Sequence, residues 1–324
     1  MSPVDRIYRF LWDRHRRPSP WARHLYKRMA RRGIAPGYRF ETDFFGLQYR
    51  GNLANNIDFD IYFYGAFEKP LLFFLRDAMR VIAPGQAAPG DTDCIEPVFI
   101  DIGANVGQHS LFMAAQGARV HAFEPFAPVR EQMLGQIEAN ALASITLHPV
   151  ALGRQNTHLP FFAPTGNNAG IGSFDPGTAD KGNIPIGELE LVRADDYFPR
   201  HRIDRIDLVK IDVEGFEKMA LAGLRETLRR TRPVIVCEVS HGNPLSFASL
   251  EELRAHLPND YRLFTFDKRK ADGSKARRRD ARARRSGHYR IIPFTGLLAS
   301  GQDDVIACPL EKCARLPREN SGTR

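Results

Sequence analysis

The sequence predicts an α/β protein whose largely parallel sheet carries helices on both faces, beginning near residue 95. Three observations predict it. Short apolar runs of strand length recur at Val98-Phe99-Ile100, Val120-His121-Ala122-Phe123, Ile206-Asp207-Leu208-Val209-Lys210-Ile211 and Val234 to Val239. Helix-length segments, Val106 to Ala115, Val129 to Asn140 and Phe216 to Arg230, separate them. The first run passes directly into a glycine turn and a helix, as in open α/β sheets. At 324 residues the chain fits one large domain with an added segment, or two modest domains.

Each element follows in order. Residues 1–32 alternate basic positions with Ile7, Phe10, Leu11, Trp21, Leu25 and Met29, predicting one or two amphipathic helices broken at Pro18-Ser19-Pro20. Tyr38-Arg39-Phe40, Leu47-Gln48-Tyr49 and Phe59-Asp60-Ile61-Tyr62-Phe63 alternate with period two around Gly46, Gly51 and an asparagine cluster. They predict three short strands. Leu71 to Ile82 is a helix stopped by Pro84-Gly85, and 84–93 is a linker. Ile145-Thr146-Leu147 through Val150-Ala151-Leu152 is strand material ending at Gly153. A polar Gly/Asn/Pro-rich region, 154–187, follows, and Leu189-Glu190-Leu191-Val192 returns to a strand. Leu250 to His256, Tyr261 to Phe266 and Val305-Ile306-Ala307 complete the alternation.

The expected organisation is a basic helical extension (1–37), a hairpin-and-helix segment on the substrate side (38–94), the α/β domain (95–310) and a flexible tail (311–324). The net charge of +8 is uneven. Residues 267–290 hold eleven Lys/Arg against three Asp, and residues 1–32 hold ten against two. The remaining body is therefore mildly acidic. The basic insertion reads as a solvated, disordered loop, and the basic N-terminus is compatible with peripheral contact to an anionic membrane. No apolar run approaches the ~20 residues of a membrane span, and residues 1–32 lack the pattern of a secretory signal. The expected compartment is the cytoplasm. Cys94, Cys237, Cys308 and Cys313 show no metal or CxxC spacing and read as structural filler.

The chemistry sits in Phe99-Ile100-Asp101-Ile102-Gly103-Ala104-Asn105-Val106-Gly107. Gly103 and Gly107 let the chain turn sharply and a ligand approach the backbone. The spacing is DxGxxxG rather than the GxGxxG of a dinucleotide site, which disfavours an NAD enzyme. Asp101 at the strand end suits a cationic ligand, and S-adenosylmethionine carries an ammonium and a sulfonium. Glu124, twenty-three residues on and ending the next strand before Pro125, is placed to take both hydroxyls of a ribose. Alternation then puts Lys210, Asp212 and Glu214 on one face of a third strand, before Gly215. A Lys–Asp pair holding a substrate hydroxyl, an acidic cluster holding a metal, and an ordinary strand-end ion pair all remain open there.

Together these segments resemble the FkbM family of methyltransferases. The likeness rests on Phe99 to Gly107, Phe123-Glu124-Pro125, Asp195-Asp196, and Asp207-Leu208-Val209-Lys210-Ile211-Asp212-Val213-Glu214-Gly215-Phe216-Glu217. Gly65-Ala66-Phe67-Glu68 and Val236-Cys237-Glu238-Val239 extend it. The resemblance implies a Rossmann-like class I methyltransferase fold with a mostly parallel seven-stranded sheet. It also implies O-methylation of a small-molecule or sugar hydroxyl with S-adenosyl-L-methionine as donor. On that reading Asp101, Gly103, Ala104, Asn105, Gly107, Glu124, Pro125 and Asp195 hold the cofactor, and Glu68 and Glu214 the substrate.

A hydroxyl acceptor needs a general base. Asp212, Glu238 and His241 are the candidates in that order, with Lys210 orienting the acceptor. Convergence of Asp212, Glu214 and Glu238 would admit a divalent cation through oxygen ligands. Gly166-Asn167-Asn168-Ala169-Gly170 is a candidate lid or plain surface loop. Two other classes compete. A nucleic-acid methyltransferase would use the basic segment 268–285, but that segment has no aromatic residue to stack a base. A non-catalytic binding protein would keep the fold without needing Asp101, Glu124, Lys210 and Asp212.

Overall fold

The computed structural model describes residues 2–82, 96–164, 172–243, 245–270, 273–274 and 276–320. The expected linker 84–93, Cys94 and the loop Gly166–Gly170 lie outside the described residues. Two helices open the chain, α1 (Pro3–Arg14) and α2 (Pro20–Arg31). Ser2 and Ser19 cap them, each hydroxyl accepting from the backbone N–H three residues on. Trp12, Leu25, Tyr26 and Met29 turn into the core, while Val4, Ile7, Phe10 and Trp21 stay exposed. The antiparallel hairpin β1 (Arg39–Phe44) and β2 (Leu47–Asn52) follows as expected.

The third expected strand is instead a helix, α3 (Asn56–Tyr64). Asn55 caps it by accepting from the N–H groups of Ile57 and Asp58, and Gly65 ends it at φ 83°. Asp58 to Tyr62 are all buried, so no apolar stripe marks the helix and the alternation misleads. Next comes α4 (Lys69–Ile82), whose Leu71, Leu72, Phe74 and Leu75 are buried.

The α/β part runs β3 (Val98–Ile102), α5 (Gln108–Ala115), β4 (Arg119–Phe123), α6 (Ala127–Ala139) and β5 (Ile145–His148). The chain then leaves the main sheet for a second one of three strands. These are β6 (Ala151–Gly153), β7 (Thr157–Pro164) and β8 (Asn183–Arg193), in the order β6-β8-β7. The polar region 154–187 thus holds much of an antiparallel pair. There follow α7 (Ala194–Arg200), β9 (Leu208–Ile211), α8 (Glu217–Gly223), α9 (Arg225–Thr231) and β10 (Val234–His241). The single helix expected over Phe216 to Arg230 breaks at Leu224, where Gly223 lies against the Gly153 carbonyl too closely for any Cβ. The chain closes with α10 (Leu250–Ala255), β11 (Tyr261–Phe266), α11 (Arg277–Ser286), β12 (Ile291–Pro293) and β13 (Gly301–Pro309).

The main sheet has eight strands in the order β12-β11-β13-β10-β9-β3-β4-β5. The eighth, beyond the seven expected, is the short edge strand β12. Strands β5, β4, β3, β9 and β10 pair in parallel, and β13 runs antiparallel between β10 and β11. The order reverses at β3, which puts a crevice outside the carboxyl ends of β3, β4 and β9. Alternation assigns the two faces. Phe99, Leu208, Val234, Val236 and Ile306 share one core with α1 to α5. Ile100, Ile102, Val209, Ile211 and Ile235 pack in the other beneath α8 to α10.

The basic insertion is a correction to the sequence reading. It is not a loose loop among the described residues: Arg277–Ser286 is the helix α11, packed against α4. Its charges meet acids of the body, with Lys268 on Asp304 at 2.5 Å, Arg269 on Asp303 at 2.9 Å and Arg284 on Asp60 at 3.6 Å. A mildly acidic body thus takes up a basic strap. No helix among the described residues is long and apolar enough to cross a membrane.

Candidate active site

The turn after β3 is shaped by backbone demands. Gly103, Asn105 and Gly107 all have positive φ, at 77°, 53° and 85°. A Cβ on Gly103 would meet the Asp212 carbonyl oxygen at 2.0 Å, so two strand-end loops touch where only glycine fits. The N–H groups of Gly103 and Ala104 donate to the Phe123 carbonyl at 3.0 and 3.1 Å, tying the turn to the end of β4. Gly107 starts α5 and lies against Met133 rather than the crevice.

Beside this turn a cleft opens at the switch point, where open α/β sheets bind ligands. Gly103, Asn105, Glu124, Pro125, Asp212 and Glu214 line it. Its apolar walls include the rings of Phe126, Phe161 and Phe174. Glu124 is clamped by the chain: one oxygen accepts from the Asn105 N–H at 3.0 Å, the other from the Phe126 N–H at 2.9 Å. Burial lifts its carboxyl to about 7, against the pull of those amides. A carboxylate oxygen has a second lone pair, so each can still accept from a diol hydroxyl, and the aromatic walls suit a purine. These residues fit S-adenosylmethionine.

Asp101 takes a different position from the one read in sequence. It is wholly buried, not on the cleft wall, and accepts from the Ser110 hydroxyl at 2.7 Å. Its second oxygen lies 3.6 Å from Lys210. Burial raises its carboxyl, opposed by Lys210 and Ser110. Asp101 therefore anchors Lys210 and the first turn of α5. Asp195 is farther still from the expected role. Its carboxylate accepts from the backbone N–H groups of Thr227 and Glu226 at 2.8 and 3.1 Å, and it pairs with Arg193. It caps α9 from a neighbouring helix, and it does not line the cleft at the Gly103 turn.

A second chamber lies across the sheet's carboxyl edge. The segment before the α/β part supplies one wall, through Asp60, Phe67, Glu68, Pro70 and Leu71, and the basic strap another, through Lys268, Arg269 and Arg284. The sheet contributes Glu238, Gln302, Asp303 and Asp304. The register explains the acids: Asp101 pairs with Lys210 across β3–β9, and Glu238 with Asp304 across β10–β13. All four share the face carrying Phe99 and Leu208. They form a polar seam at the rim of an apolar core.

Lys210 is the cation of that seam, 3.3 Å from Asp212 and 3.6 Å from Asp101. Burial works against its charge, but Asp212, Asp101 and Glu68 outweigh it and keep the ammonium protonated. Burial, with Asp304 and Asp212 nearby, raises the Glu68 carboxyl. Glu238 is pushed strongly up by burial and by Asp212 and Asp304. His109, 3.9 Å from Glu68, was not singled out in sequence. Burial and then Lys210 hold its pKa well below the usual imidazole value, so it is neutral.

Two further expectations are corrected. His241 does not face either cleft: its side chain is fully buried and meets Asp303 at 2.8 Å, with Arg269 on the other side of that carboxylate. It belongs to the joint between β10, β13 and the strap. Glu214 does not join Asp212 and Glu238. β9 ends at Ile211, and Glu214 turns at φ 50° so that strand alternation no longer applies. It lines the cleft beside the Gly103 turn instead, while Glu217 completes the acidic group with Asp212 and Glu238. Glu217 stands in the quoted motif, two residues after Gly215, but its role needed the fold.

The fold and this cleft define a class, the Rossmann-like domains that bind S-adenosylmethionine in methyltransferases. The particular family follows from the sequence: residues 101–265, just over half of the chain, match the methyltransferase FkbM domain, and the chain belongs to that family. It is 29% identical over 165 residues to the 31-O-demethyl-FK506 methyltransferase FkbM of Streptomyces tacrolimicus, covering 43% of this chain and 61% of that one. It is 28% identical over 191 residues to the 2-O-methyltransferase NoeI of Sinorhizobium fredii, covering 50% and 76%. Against the AMB antimetabolite synthetase AmbE of Pseudomonas aeruginosa it is 26% identical over 175 residues, 44% of this chain and 8% of that one. A solved S-adenosylmethionine-dependent methyltransferase from Agrobacterium tumefaciens aligns at TM-score 0.42 and 13% identity, covering 85% of this chain and 72% of that one.

Proposed function

We propose that this chain transfers a methyl group from S-adenosylmethionine to a hydroxyl of a small molecule or sugar. The observation that carries the reading is the position of Asp212. The residue lines the first cleft, and its carboxylate lies 3.3 Å from Lys210. It also has a carboxylate oxygen within 4.8 Å of one from Glu238, which lines the second chamber. S-adenosylmethionine supplies a methyl already activated by its sulfonium. The chain's tasks are to orient the acceptor, take its proton and exclude water.

Glu124 takes the ribose hydroxyls, with Gly103, Asn105 and Pro125 shaping the wall beside it. Asp212 accepts the proton of the acceptor hydroxyl, and Lys210 holds that carboxylate in place. Glu68 and Gln302 offer hydrogen bonds to further hydroxyls, and the apolar Phe67 and Leu71 a face for the ring or chain. The Streptomyces and Sinorhizobium relatives, a 31-O-demethyl-FK506 methyltransferase and a 2-O-methyltransferase, support oxygen as the acceptor. The nucleic-acid alternative is weakened because Lys268, Arg269 and Arg284 are held in ion pairs within the chain.

Calorimetric titration with S-adenosylhomocysteine tests the cofactor half. Wild type is expected to bind, and Glu124→Ala to bind roughly 10- to 100-fold more weakly, the worth of charge-assisted hydrogen bonds. Transfer of labelled methyl to polyol and sugar acceptors tests the other half, with Asp212→Asn expected to lower turnover by about 100-fold or more. No binding of S-adenosylhomocysteine by the wild type would sink the reading.

A further inference from the structure

The wall between the two cavities holds Asp212, Glu217 and Glu238, each offering a carboxylate oxygen within 4.8 Å of the others. Asp212 lines one cavity and Glu238 the other. Glu217 lies beneath them, fully buried. One of its oxygens is satisfied, accepting from the N–H groups of Val213 and Gly215 at 3.1 and 3.0 Å. The other is buried with no hydrogen-bond partner. A buried carboxylate oxygen without a donor is costly, and burying it among like charges is costlier.

Charge balance sharpens the point. The surrounding seam adds Asp101, Glu68 and Asp304 to these three acids, and its lysines are Lys210 and Lys268. Lys210 reaches Asp212 and Asp101, and Lys268 reaches Asp304. Among the described residues, no lysine, arginine or histidine pairs with Glu217 or Glu238. The hydrogen-bond donor to Glu238 is the neutral amide of Gln302, at 2.9 Å. Glu238 also stands opposite Asp304 in the β10–β13 register, an unfavourable cross-strand pair of like charges. Of the three carboxylates that meet here, Asp212 alone has a cation beside it, Lys210 at 3.3 Å.

We propose that Asp212, Glu217 and Glu238 form a binding site for a divalent cation of the magnesium, manganese or calcium type. An all-oxygen, anionic donor set selects hard cations over zinc or copper. Three protein carboxylates leave coordination positions for water and for an acceptor oxygen entering from the second chamber. A cation there would lower the pKa of a bound hydroxyl, the Lewis-acid role of a metal in group transfer. That role rests on the methyltransferase reading above; the binding of the ion does not.

The test uses the full chain without cofactor or acceptor. Manganese(II) is titrated in, and free ion is followed by electron paramagnetic resonance, with magnesium as competitor. One site per chain is expected, weakened at least about tenfold by Glu238→Gln and by Glu217→Gln. Glu217 also holds the turn at Gly215, so Glu217→Gln carries weight only if its circular dichroism and melting match wild type. Glu238→Gln lies on a cavity wall and keeps the question decidable. Absence of manganese binding by wild type up to millimolar ion overturns the proposal, as does unchanged affinity in Glu238→Gln. S-adenosylhomocysteine binding, measured in parallel, reports on the cofactor reading alone, so the two can fail separately.

Discussion

Glu124 and Asp195 are both acids singled out from sequence, and the fold gives them different work. Glu124 ends a strand at the crevice, and its two backbone hydrogen bonds fix the carboxylate while leaving each oxygen a second lone pair. Asp195 is turned inward, with its side chain only 1% exposed, and satisfies two orphan N–H groups at the start of α9. Asp195→Ala is therefore expected to cost about 1–3 kcal/mol of stability, with S-adenosylhomocysteine affinity unchanged. Urea denaturation and calorimetry on the same preparation check both halves. A large loss of cofactor affinity in a stably folded variant would return Asp195 to the site. The two acids look alike in sequence because both come just after a strand, Glu124 ahead of α6 and Asp195 in the first turn of α7. Only the neighbour each one meets tells them apart.

At the scale of elements, the strap α11 is the part least legible from composition. Six arginines in ten residues read as a solvated loop, since like charges repel. The helix holds because Arg279 meets Asp267, just after β11, and Arg284 meets Asp60 of α3, while Lys268 ahead of it is tied to Asp304 of β13. Its end depends on Gly287, which caps α11 at φ 73° and leaves no room for a Cβ against the Phe73 ring. Gly287→Ala is expected to destabilise the strap by about 1–3 kcal/mol, from left-handed strain and contact with that ring. Limited trypsin digestion would read it as faster cleavage between Arg277 and Arg285. Unchanged digestion would mean that the strap is not held through this corner. The second chamber owes one wall to α11 and another to the segment around Glu68, so its shape depends on this docking.

For the whole molecule, the buried acids make a pH signature. Burial raises Glu124 and Glu217 from 4.5 to about 7. An acid whose folded pKa is raised favours the folded state when protonated. That contribution is complete below the unfolded value and is lost as pH rises through the folded one. The melting temperature of the ligand-free protein is therefore expected to fall from about pH 5 to about pH 8. Acids held low work in the opposite sense: Asp303, kept down by His241 and Arg269 despite burial, loses its contribution as pH falls below the usual carboxylate range. Scanning calorimetry across that range checks the sign. A flat or rising melting temperature between those limits would mean that Glu124 and Glu217 are already ionised or neutralised by a bound cation. Saturating S-adenosylhomocysteine is expected to flatten the decline, because its hydroxyls engage the ionised Glu124.

Local physics made the sheet readable. Val98 to Ile102 and Val234 to Cys237 are largely apolar and buried on both faces, and the glycines at 103 and 107 are demanded by the turn itself. Those features depend on neighbours in the chain, so sequence alone determined the α/β class, the switch-point crevice and Glu124 at its edge. It did not determine α3, which is buried on all sides and carries no periodic stripe. Nor did it determine that Asp101 points at Lys210, that His241 points at Asp303, or that Glu217 rather than Glu214 meets Asp212 and Glu238. Those outcomes are set by cross-strand register, a residue at positive φ, and the docking of a basic strap on an acidic body. Such contacts join residues far apart along the chain, and only the tertiary structure brings them together.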